Sequence, residues 1–181
     1  EQSGVRFATE CLAFANVPDA STLARVPGGP LVLPHHSGWK QRSPRDLGAG
    51  WDFDDVRDHY LERLFGIRAG ELRAVDRQRY LMLSRVTTGE VMARTFAVWR
   101  RVGSSCRGAL VWFLRDLWAG AGWGLLDETG VPKPCFRMLS RALQPIHLSI
   151  SDDALNGLHV HVTNEHAEPL PGQLEVKAYR N

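Results

Sequence analysis

Residues 108–118 read Gly-Ala-Leu-Val-Trp-Phe-Leu-Arg-Asp-Leu-Trp, and this stretch decides the fold class. Residues 109–114 are an unbroken apolar run in which no polar residue alternates with an apolar one. Such a run is typical of a strand that is buried on both faces, as in a parallel sheet. We expect the residues after it, from Asp116 onward, to form a loop at the end of that strand.

The segments around this run alternate between strand and helix. Apolar residues at spacings of three and four indicate the helices, and Gly66 is a plausible stop for the first of them. The predicted elements are a strand at residues 5–10, a helix at 54–65, a helix from about 76 to 99, and a helix that begins at Pro134 and ends before Pro145. On the second helix the apolar stripe includes Gly89, which predicts close packing against another backbone.

Residues 15–51 form a long region rich in proline and glycine, which we predict to be irregular. Irregular segments longer than about 12–15 residues are usually either functional or disordered. This region carries histidine, tryptophan, arginine and aspartate side chains, which favours a functional role.

The pattern changes after Pro145. Apolar and polar residues alternate in residues 158–163 and again in 173–178, with a turn-rich stretch between them. This alternation predicts an antiparallel hairpin of these two segments with one buried face. The boundary between an α/β part and a β-rich part therefore lies near residue 146.

The composition excludes several classes of protein. The net charge of +2, from 22 basic and 20 acidic residues, is too balanced to imply a nucleic-acid or membrane partner. A run of six apolar residues is far shorter than the roughly 20 that span a bilayer. Three cysteines without a Cys-x-x-Cys pair indicate reduced thiols and favour a cytoplasmic location. A complete eight-stranded α/β barrel needs about 250 residues, which exceeds this chain of 181.

Three stretches resemble the C-terminal part of the catalytic barrel of glycoside hydrolase family 2, in its β-mannosidase-like branch. Residues 6–14, Arg-Phe-Ala-Thr-Glu-Cys-Leu-Ala-Phe, resemble the Ser-Glu-Phe/Tyr-Gly segment that ends the seventh barrel strand, with departures at residues 9, 11 and 12. Residues 108–118 resemble the eighth strand, with its Trp-x-x-x-Asp-x-Trp pattern. Residues 122–134 resemble the loop into the last barrel helix.

The resemblance implies an α/β fold: the C-terminal portion of a (β/α)8 TIM barrel at residues 1–145, then the first strands of an immunoglobulin-like β-sandwich at 146–181. It implies a fragment of a retaining glycoside hydrolase that hydrolyses O-glycosidic bonds by double displacement. Glu10 is the candidate nucleophile, and hydrogen-bond donors are expected to keep it ionised. The acid/base carboxyl group is expected upstream of this chain, so the chain alone is expected to be inactive.

The resemblance also implies substrate contacts at the end of the eighth strand. Trp112 would form an apolar platform under the sugar ring, and its alternative role is that of a core residue. Asp116 and Trp118 would bind or flank the sugar, and their alternative role is to anchor the loop.

Residues of the long irregular region are candidates for shaping the entrance and binding leaving-group sugars. They are His35, His36, Trp39, Arg45 and Asp46, and the alternative is that they are solvated loop residues. His35 and Trp39 are the two that we assign to substrate binding.

The expected partners are a carbohydrate, a β-linked mannoside or related sugar, and the rest of the parent enzyme or another chain. We expect no metal, no cofactor, no nucleic acid and no membrane. Since a partial barrel leaves strand edges open, we also expect a second chain to cover residues 1–145 or much of that part to be poorly packed. The alternative function is a non-catalytic carbohydrate-binding or interaction module built on a barrel remnant.

Overall fold

Up to residue 142 the described chain contains two short strands and six α-helices, and after them it forms a β-hairpin. We describe a computed structural model that covers residues 4–29, 32 and 34–180. The elements in chain order are β1 (Ala8–Cys11), α1 (Ala20–Leu23), α2 (Ser37–Lys40), α3 (Phe53–Phe65), α4 (Ala69–Val75), α5 (Arg77–Arg100), β2 (Ala109–Val111), α6 (Pro134–Ala142), β3 (Ile146–Asp152) and β4 (Leu158–Asn164). A 3-10 turn at Ala154–Asn156 separates β3 from β4.

Strands β1 and β2 form a parallel pair, as the sequence predicts. Ala8 lies opposite Ala109, and Cys11 lies opposite Val111. The expectation that β2 is buried on both faces is wrong, because Leu110 is 58% exposed. Among the described residues these two strands make up a whole sheet, so their outer faces and edges stay open.

Helix α3 has clear local signals at both ends. The Asp52 carboxylate accepts hydrogen bonds from the backbone of Asp54 and Asp55, and the Asp55 carboxylate accepts one from the backbone of Asp52. This reciprocal capping box satisfies amide groups that have no partner inside the helix. Gly66 ends the helix at φ 63°, a backbone conformation that favours glycine. The predicted helix at 54–65 and its stop are confirmed.

The sequence prediction missed three helices. The short helices α1 and α2 lie inside the region predicted to be irregular, and α4 lies between the two long helices that were predicted. Four-residue helices such as α1 and α2 are too short for a periodic pattern to show. The long helix α5 and the start of α6 at Pro134 are confirmed.

Two apolar clusters form the core. The first lies under α3, α4 and the start of α5, where Trp39, Leu61 and Tyr80 are almost fully buried. The second lies between the strand pair and helices α5 and α6, around Met92 and Leu139. The described part of residues 1–145 therefore contains packed clusters, while the outer faces of its two strands remain open.

Helices α5 and α6 pack closely at Gly89. A Cβ atom at this position would overlap the Met138 side chain of α6 and would lie 3.1 Å from its Cβ atom. The predicted close approach is confirmed, although the neighbour is a side chain rather than a backbone.

A hairpin forms as predicted, but the partner of residues 158–164 is the segment before them and not the segment after them. Strand β4 pairs antiparallel with β3, from Ile146 opposite Asn164 to Asp152 opposite Leu158, and residues 165–180 form neither helix nor strand. The five residues between β3 and β4 close the hairpin locally. The later segment follows two prolines, Pro169 and Pro171, which lack the amide hydrogen of a strand.

The polar face of the hairpin, and not the apolar one, is the partly buried face. Leu148 and Ile150 are 54% and 67% exposed, whereas Ser151 and His161 lie on the side turned toward α5. The expectation of a buried apolar face is therefore wrong for this chain, because no described segment covers that face. Residue 146 is the first residue of β3, and the division into two domains remains a prediction.

None of the helices in the described ranges is long and apolar enough to cross a bilayer.

We predict that Gly89→Leu lowers the free energy of unfolding by about 1–3 kcal/mol, because the new side chain must displace Met138. The matched control is Gly70→Leu in α4, where the nearest atom to a new Cβ is 4.0 Å away. Better helix propensity should leave that variant unchanged or up to about 1 kcal/mol more stable. Urea unfolding followed by circular dichroism measures both, and equal stability of the two variants would contradict the packing argument.

Candidate functional site

A cleft of about 600 Å³ opens next to the carboxyl end of β2. One wall comes from the chain that follows β2, and the other from the segment that follows α2. The lining residues are Arg42, Ser43, Pro44, Arg45, Trp112, Phe113, Asp116, Leu117, Trp118, Gly122 and Trp123. The cleft therefore joins two segments that are about 70 residues apart in the chain.

The parallel pairing brings Glu10 and Trp112 to the same end of the sheet. The Trp112 amide donates a hydrogen bond to the Cys11 carbonyl over 2.9 Å, one residue beyond Glu10. The peptide bond between Trp112 and Phe113 is cis. Sites of α/β barrels lie where the carboxyl ends of parallel strands meet, and both residues lie at such an end.

The side of β1 that carries Glu10 is open to solvent, and Glu10 is exposed. Within residues 4–29, 32 and 34–180, no group donates a hydrogen bond to its carboxylate. The donors that we expected to hold it ionised are therefore not supplied by the described part of the chain.

Aromatic rings form the apolar surface of the cleft. Trp112 and Trp123 lie with ring centroids 6.2 Å apart, and Phe113 lies 6.3 Å from Trp123. Phe53 of α3 supports Trp123 from behind at 5.0 Å. Since Trp112 is 41% exposed and Trp118 is 52% exposed, both offer ring area to a ligand.

A buried lysine holds the loop that carries Trp123. The Lys133 ammonium donates to the Asp116 carboxylate at 2.5 Å, the Asn16 carbonyl at 3.0 Å and the Gly122 carbonyl at 3.2 Å. Asp116 in turn accepts a hydrogen bond from the Gly124 amide over 2.7 Å. A Cβ atom at Gly122 or Gly124 would overlap Asp116, so this loop needs glycine at both positions.

The pair of Asp116 and Lys133 is buried, with 5% and 1% of the two residues exposed. Burial raises the pKa of the Asp116 carboxyl group, and the charge of Lys133 opposes that rise. Burial lowers the pKa of the Lys133 ammonium group, and the charge of Asp116 opposes that fall. Each group thus depends on the other to remain charged in the interior.

The far end of the same loop is anchored by Asp127, which is 1% exposed. Its carboxylate accepts hydrogen bonds from the Thr22 hydroxyl at 2.6 Å and the Arg25 guanidinium at 2.7 Å. Although burial alone would raise the pKa of Asp127, hydrogen bonds from Thr22 and Thr129 outweigh it and hold the pKa well below its usual range.

The second wall of the cleft is positioned by Asp54, a fully buried carboxylate of α3. Asp54 accepts hydrogen bonds from the Trp39 indole at 3.0 Å and the Ser43 hydroxyl at 2.5 Å, and it pairs with Arg57 at 2.5 Å. Burial alone would raise the pKa of the Asp54 carboxyl group. The charge of Arg57 and the hydrogen bond from Ser43 outweigh this effect, so the pKa lies below its ordinary value. Asp54 therefore fixes Ser43, the residue between Arg42 and Pro44, at the cleft.

Asp58 extends this network to α5. Its carboxylate accepts a hydrogen bond from the Tyr80 hydroxyl at 2.8 Å and pairs with Arg57 and Arg73, each at 3.1 Å, and with His35 at 3.2 Å. Burial would raise the pKa of Asp58, but the hydrogen bond from His35 and the charge of Arg57 lower it to about 2.

The structure brings some of the proposed substrate contacts together and not others. Trp112, Asp116, Trp118 and Arg45 all line the cleft, and the Asp116 carboxylate is already engaged in holding the loop. The structure places Trp39 in the core at 3% exposure, with its indole bound to Asp54.

His35 also differs from the expectation, because it pairs with Asp58 and does not line the cleft. His36 caps α2 by accepting a hydrogen bond from the Gly38 amide, and Asp46 is exposed outside the cleft lining. The aromatic pair Phe113 and Trp123 was missed as a binding surface, although Phe113 lies in the apolar run and Trp123 in the glycine-rich loop after it.

Within the ranges that the structure describes, no group of three or more His, Cys, Asp or Glu side chains is arranged to hold a metal ion. The three cysteines are unpaired.

Comparisons with known proteins find similarity to β-mannosidases. The chain is 31% identical over 122 residues to β-mannosidase B of Emericella nidulans, covering 65% of this chain and 14% of that protein. It is 33% identical over 103 residues to β-mannosidase B of Aspergillus terreus, covering 55% of this chain and 12% of that protein. No protein-family model matches the chain.

The fold is similar to that of a solved structure. The crystal structure of β-D-mannosidase from Dictyoglomus thermophilum superposes with a TM-score of 0.70 at 20% identity, covering 90% of this chain and 18% of that one. The chain thus spans about one seventh or less of the length of the curated relatives it matches. The predicted β-mannosidase-like relationship is confirmed.

We predict that Lys133→Met lowers the free energy of unfolding by about 3–5 kcal/mol, because it leaves the buried Asp116 carboxylate without its partner. Urea unfolding measures the loss, and near-ultraviolet circular dichroism reports whether the surroundings of Trp123 change. The control Lys177→Met removes a pair with Glu175 on the surface, where both side chains are exposed. It should change stability by no more than about 0.5 kcal/mol, and an equal loss in both variants would contradict the role of Lys133.

A second prediction concerns acid stability. The pKa of Asp58 is about 2 in the folded chain, which is below the ordinary value of about 3.9. The stability that this carboxylate contributes is therefore present above about pH 4 and is lost as the pH falls toward about 2.

Asp58→Asn should lower stability by on the order of 2 kcal/mol at neutral pH and flatten the dependence of stability on pH below about 4. Urea titrations from neutral pH to about pH 2 measure this slope. Asp46→Asn makes the same change of charge at an exposed position and is the control. An unchanged slope in Asp58→Asn would show that other groups cause the acid dependence.

Proposed function

We propose that this chain, which is related in sequence to the β-mannosidases of glycoside hydrolase family 2, is part of a retaining glycosidase. The substrate would be a β-linked mannoside or a related sugar, as the names of its relatives suggest. Residues 1–145 would be the C-terminal portion of a (β/α)8 barrel, and residues 146–181 the start of an immunoglobulin-like sandwich.

One observation carries this proposal. Glu10 and Trp112 lie at the carboxyl ends of neighbouring parallel strands, and Trp112 also lines an aromatic cleft. A sugar ring stacked on Trp112 would bury its weakly apolar C–H face on a side chain that packing already holds in place. Its anomeric carbon would then lie near the strand end that carries Glu10.

In the proposed reaction, the Glu10 carboxylate attacks the anomeric carbon and forms a covalent glycosyl-enzyme. A second carboxyl group about 5–5.5 Å away protonates the leaving oxygen and later activates the water that releases the sugar. Asp116 does not fit this second role, because Lys133 and the Gly124 amide occupy its oxygens. We assign the acid/base to a part of the protein outside this sequence, and the chain alone would then be inactive.

A second candidate function is carbohydrate binding without catalysis. The observation that favours it is that no group within the described ranges donates a hydrogen bond to the Glu10 carboxylate, while Trp112 and Trp118 line the cleft with exposed rings. A module of this kind would use Trp112 and Trp118 for stacking and would need no second carboxyl group.

Trapping of the covalent intermediate tests the proposal. The protein that contains this chain in its full length is treated with a fluorinated mannosyl donor, and its peptides are analysed by mass spectrometry. We predict that the peptide with Glu10 gains the mass of the fluorosugar, and that Glu10→Gln abolishes both the label and more than about 99.9% of the turnover of an aryl mannoside.

The matched control is Glu71→Gln, an exposed glutamate of α4 whose only described ion pair is with Arg68. This variant should be labelled like the wild-type protein. Label on a different carboxylate would remove Glu10 from the mechanism. Binding of the sugar with no label in any variant would favour the non-catalytic module.

A further inference from the structure

We infer that the cleft selects a carbohydrate with an anionic substituent, a carboxylate or a phosphate, and that Arg42 and Arg45 recognise it. This inference rests on the proposed function, since it takes the cleft as a sugar site. It goes beyond that function by naming the charge of the ligand and the residues that read it.

The two arginines are the basic side chains of the cleft lining. Neither of them forms an ion pair or a side-chain hydrogen bond with the part of the chain that the structure describes. The other buried or half-buried arginines of the second wall behave differently, since Arg57 and Arg73 are both paired with carboxylates. Arg42 and Arg45 therefore keep their charge uncompensated at the cleft.

Packing holds Arg42 in place. Its side chain is half-buried and lies against Gly120, where a Cβ atom would be 3.0 Å from the Cβ atom of Arg42. Its neighbour Ser43 is fixed to the buried Asp54. An arginine that is ordered before the ligand arrives loses less side-chain entropy on binding than a free surface arginine.

The single acid of the lining does not balance these charges. Asp116 is paired with Lys133, which lies behind the loop, so the two groups cancel each other. The charges of the lining that have no partner among the described residues are therefore those of Arg42 and Arg45, and both are positive.

The chemistry of the arginine side chain narrows the class of ligand. Its planar guanidinium matches the oxygens of a carboxylate or a phosphate with two parallel hydrogen bonds. The aromatic surface of Trp112 and Trp118 suits a sugar ring beside it. Together they fit a hexoside that carries an acid group, such as a hexuronoside or a hexoside phosphate.

Binding to the chain itself tests this inference. The probes are methyl β-mannoside, the corresponding methyl β-mannuronoside and methyl β-mannoside 6-phosphate, with inorganic phosphate as a fourth ligand. Isothermal titration at low ionic strength measures the affinities, and tryptophan fluorescence reports contact with the cleft. We expect at least one of the two acidic sugars to bind about tenfold tighter than the neutral one, and this preference to shrink as salt is added.

Arg42→Gln and Arg45→Gln should each reduce the preference for the acidic sugar several-fold and leave the affinity for the neutral sugar nearly unchanged. Arg45 is exposed, so its replacement keeps the test valid even if Arg42→Gln disturbs packing. Arg79→Gln, an exposed arginine of α5 outside the cleft lining, is the matched control and should behave like the wild-type chain. Comparison of the carboxylate and phosphate probes identifies which acid group is recognised.

Equal affinities for the neutral and acidic sugars would overturn this inference and leave the proposed glycosidase function standing. Failure of every sugar to bind would also overturn it, and so would inorganic phosphate that binds as tightly as the sugar phosphate. If the chain prefers the acidic sugar but Glu10 is not trapped covalently, the proposed catalysis is refuted and the inference about the charge of the ligand stands.

Discussion

The buried ammonium group of Lys133 holds together the segments that build one wall of the cleft. It joins the backbone after β1, through Asn16, to the loop after β2, through Asp116 and Gly122. The charge of Lys133 could not remain in the interior without Asp116, and Asp116 could not remain there without Lys133. Since Trp123 sits on the loop that both groups hold, the aromatic surface depends on this pair.

The opposite wall follows the same principle with different residues. Asp54 and Arg57 form a buried pair on α3, and the spare oxygen of Asp54 binds Trp39 and Ser43. Buried pairs of this kind add little net stability compared with apolar packing. Each wall of the cleft is nevertheless tied to the core through one buried carboxylate, Asp116 on one side and Asp54 on the other.

The sequence predicted the features that depend on a residue and its immediate neighbours in the chain. Gly66 and Pro134 mark helix boundaries by their own backbone preferences, and the first half of the apolar run, Ala109–Val111, forms a parallel strand. The resemblance of three short stretches placed Glu10 and Trp112 at strand ends that do lie side by side.

The sequence did not predict the role of a side chain where that role depends on a partner far away in the chain. Nothing local distinguishes Trp39, which donates to a buried carboxylate of α3, from Trp118, which lines the cleft. The same holds for Arg42 and Arg57, because only the folded chain shows which of them meets an acid. The second wall of the cleft therefore could not be predicted from the residues that form it.

The two predictions of burial that failed have a common physical cause. Alternation and apolar runs record which faces a sequence is suited to bury, and they do not record which segment covers those faces. Leu110 on β2 and Ile150 on β3 are both more than half exposed, in a chain that spans 14% of the length of one relative. The cleft differs from these open faces, because two segments of this chain line it on opposite sides. The proposed binding of a sugar there can therefore be tested separately from the proposed hydrolysis, which needs a second carboxyl group.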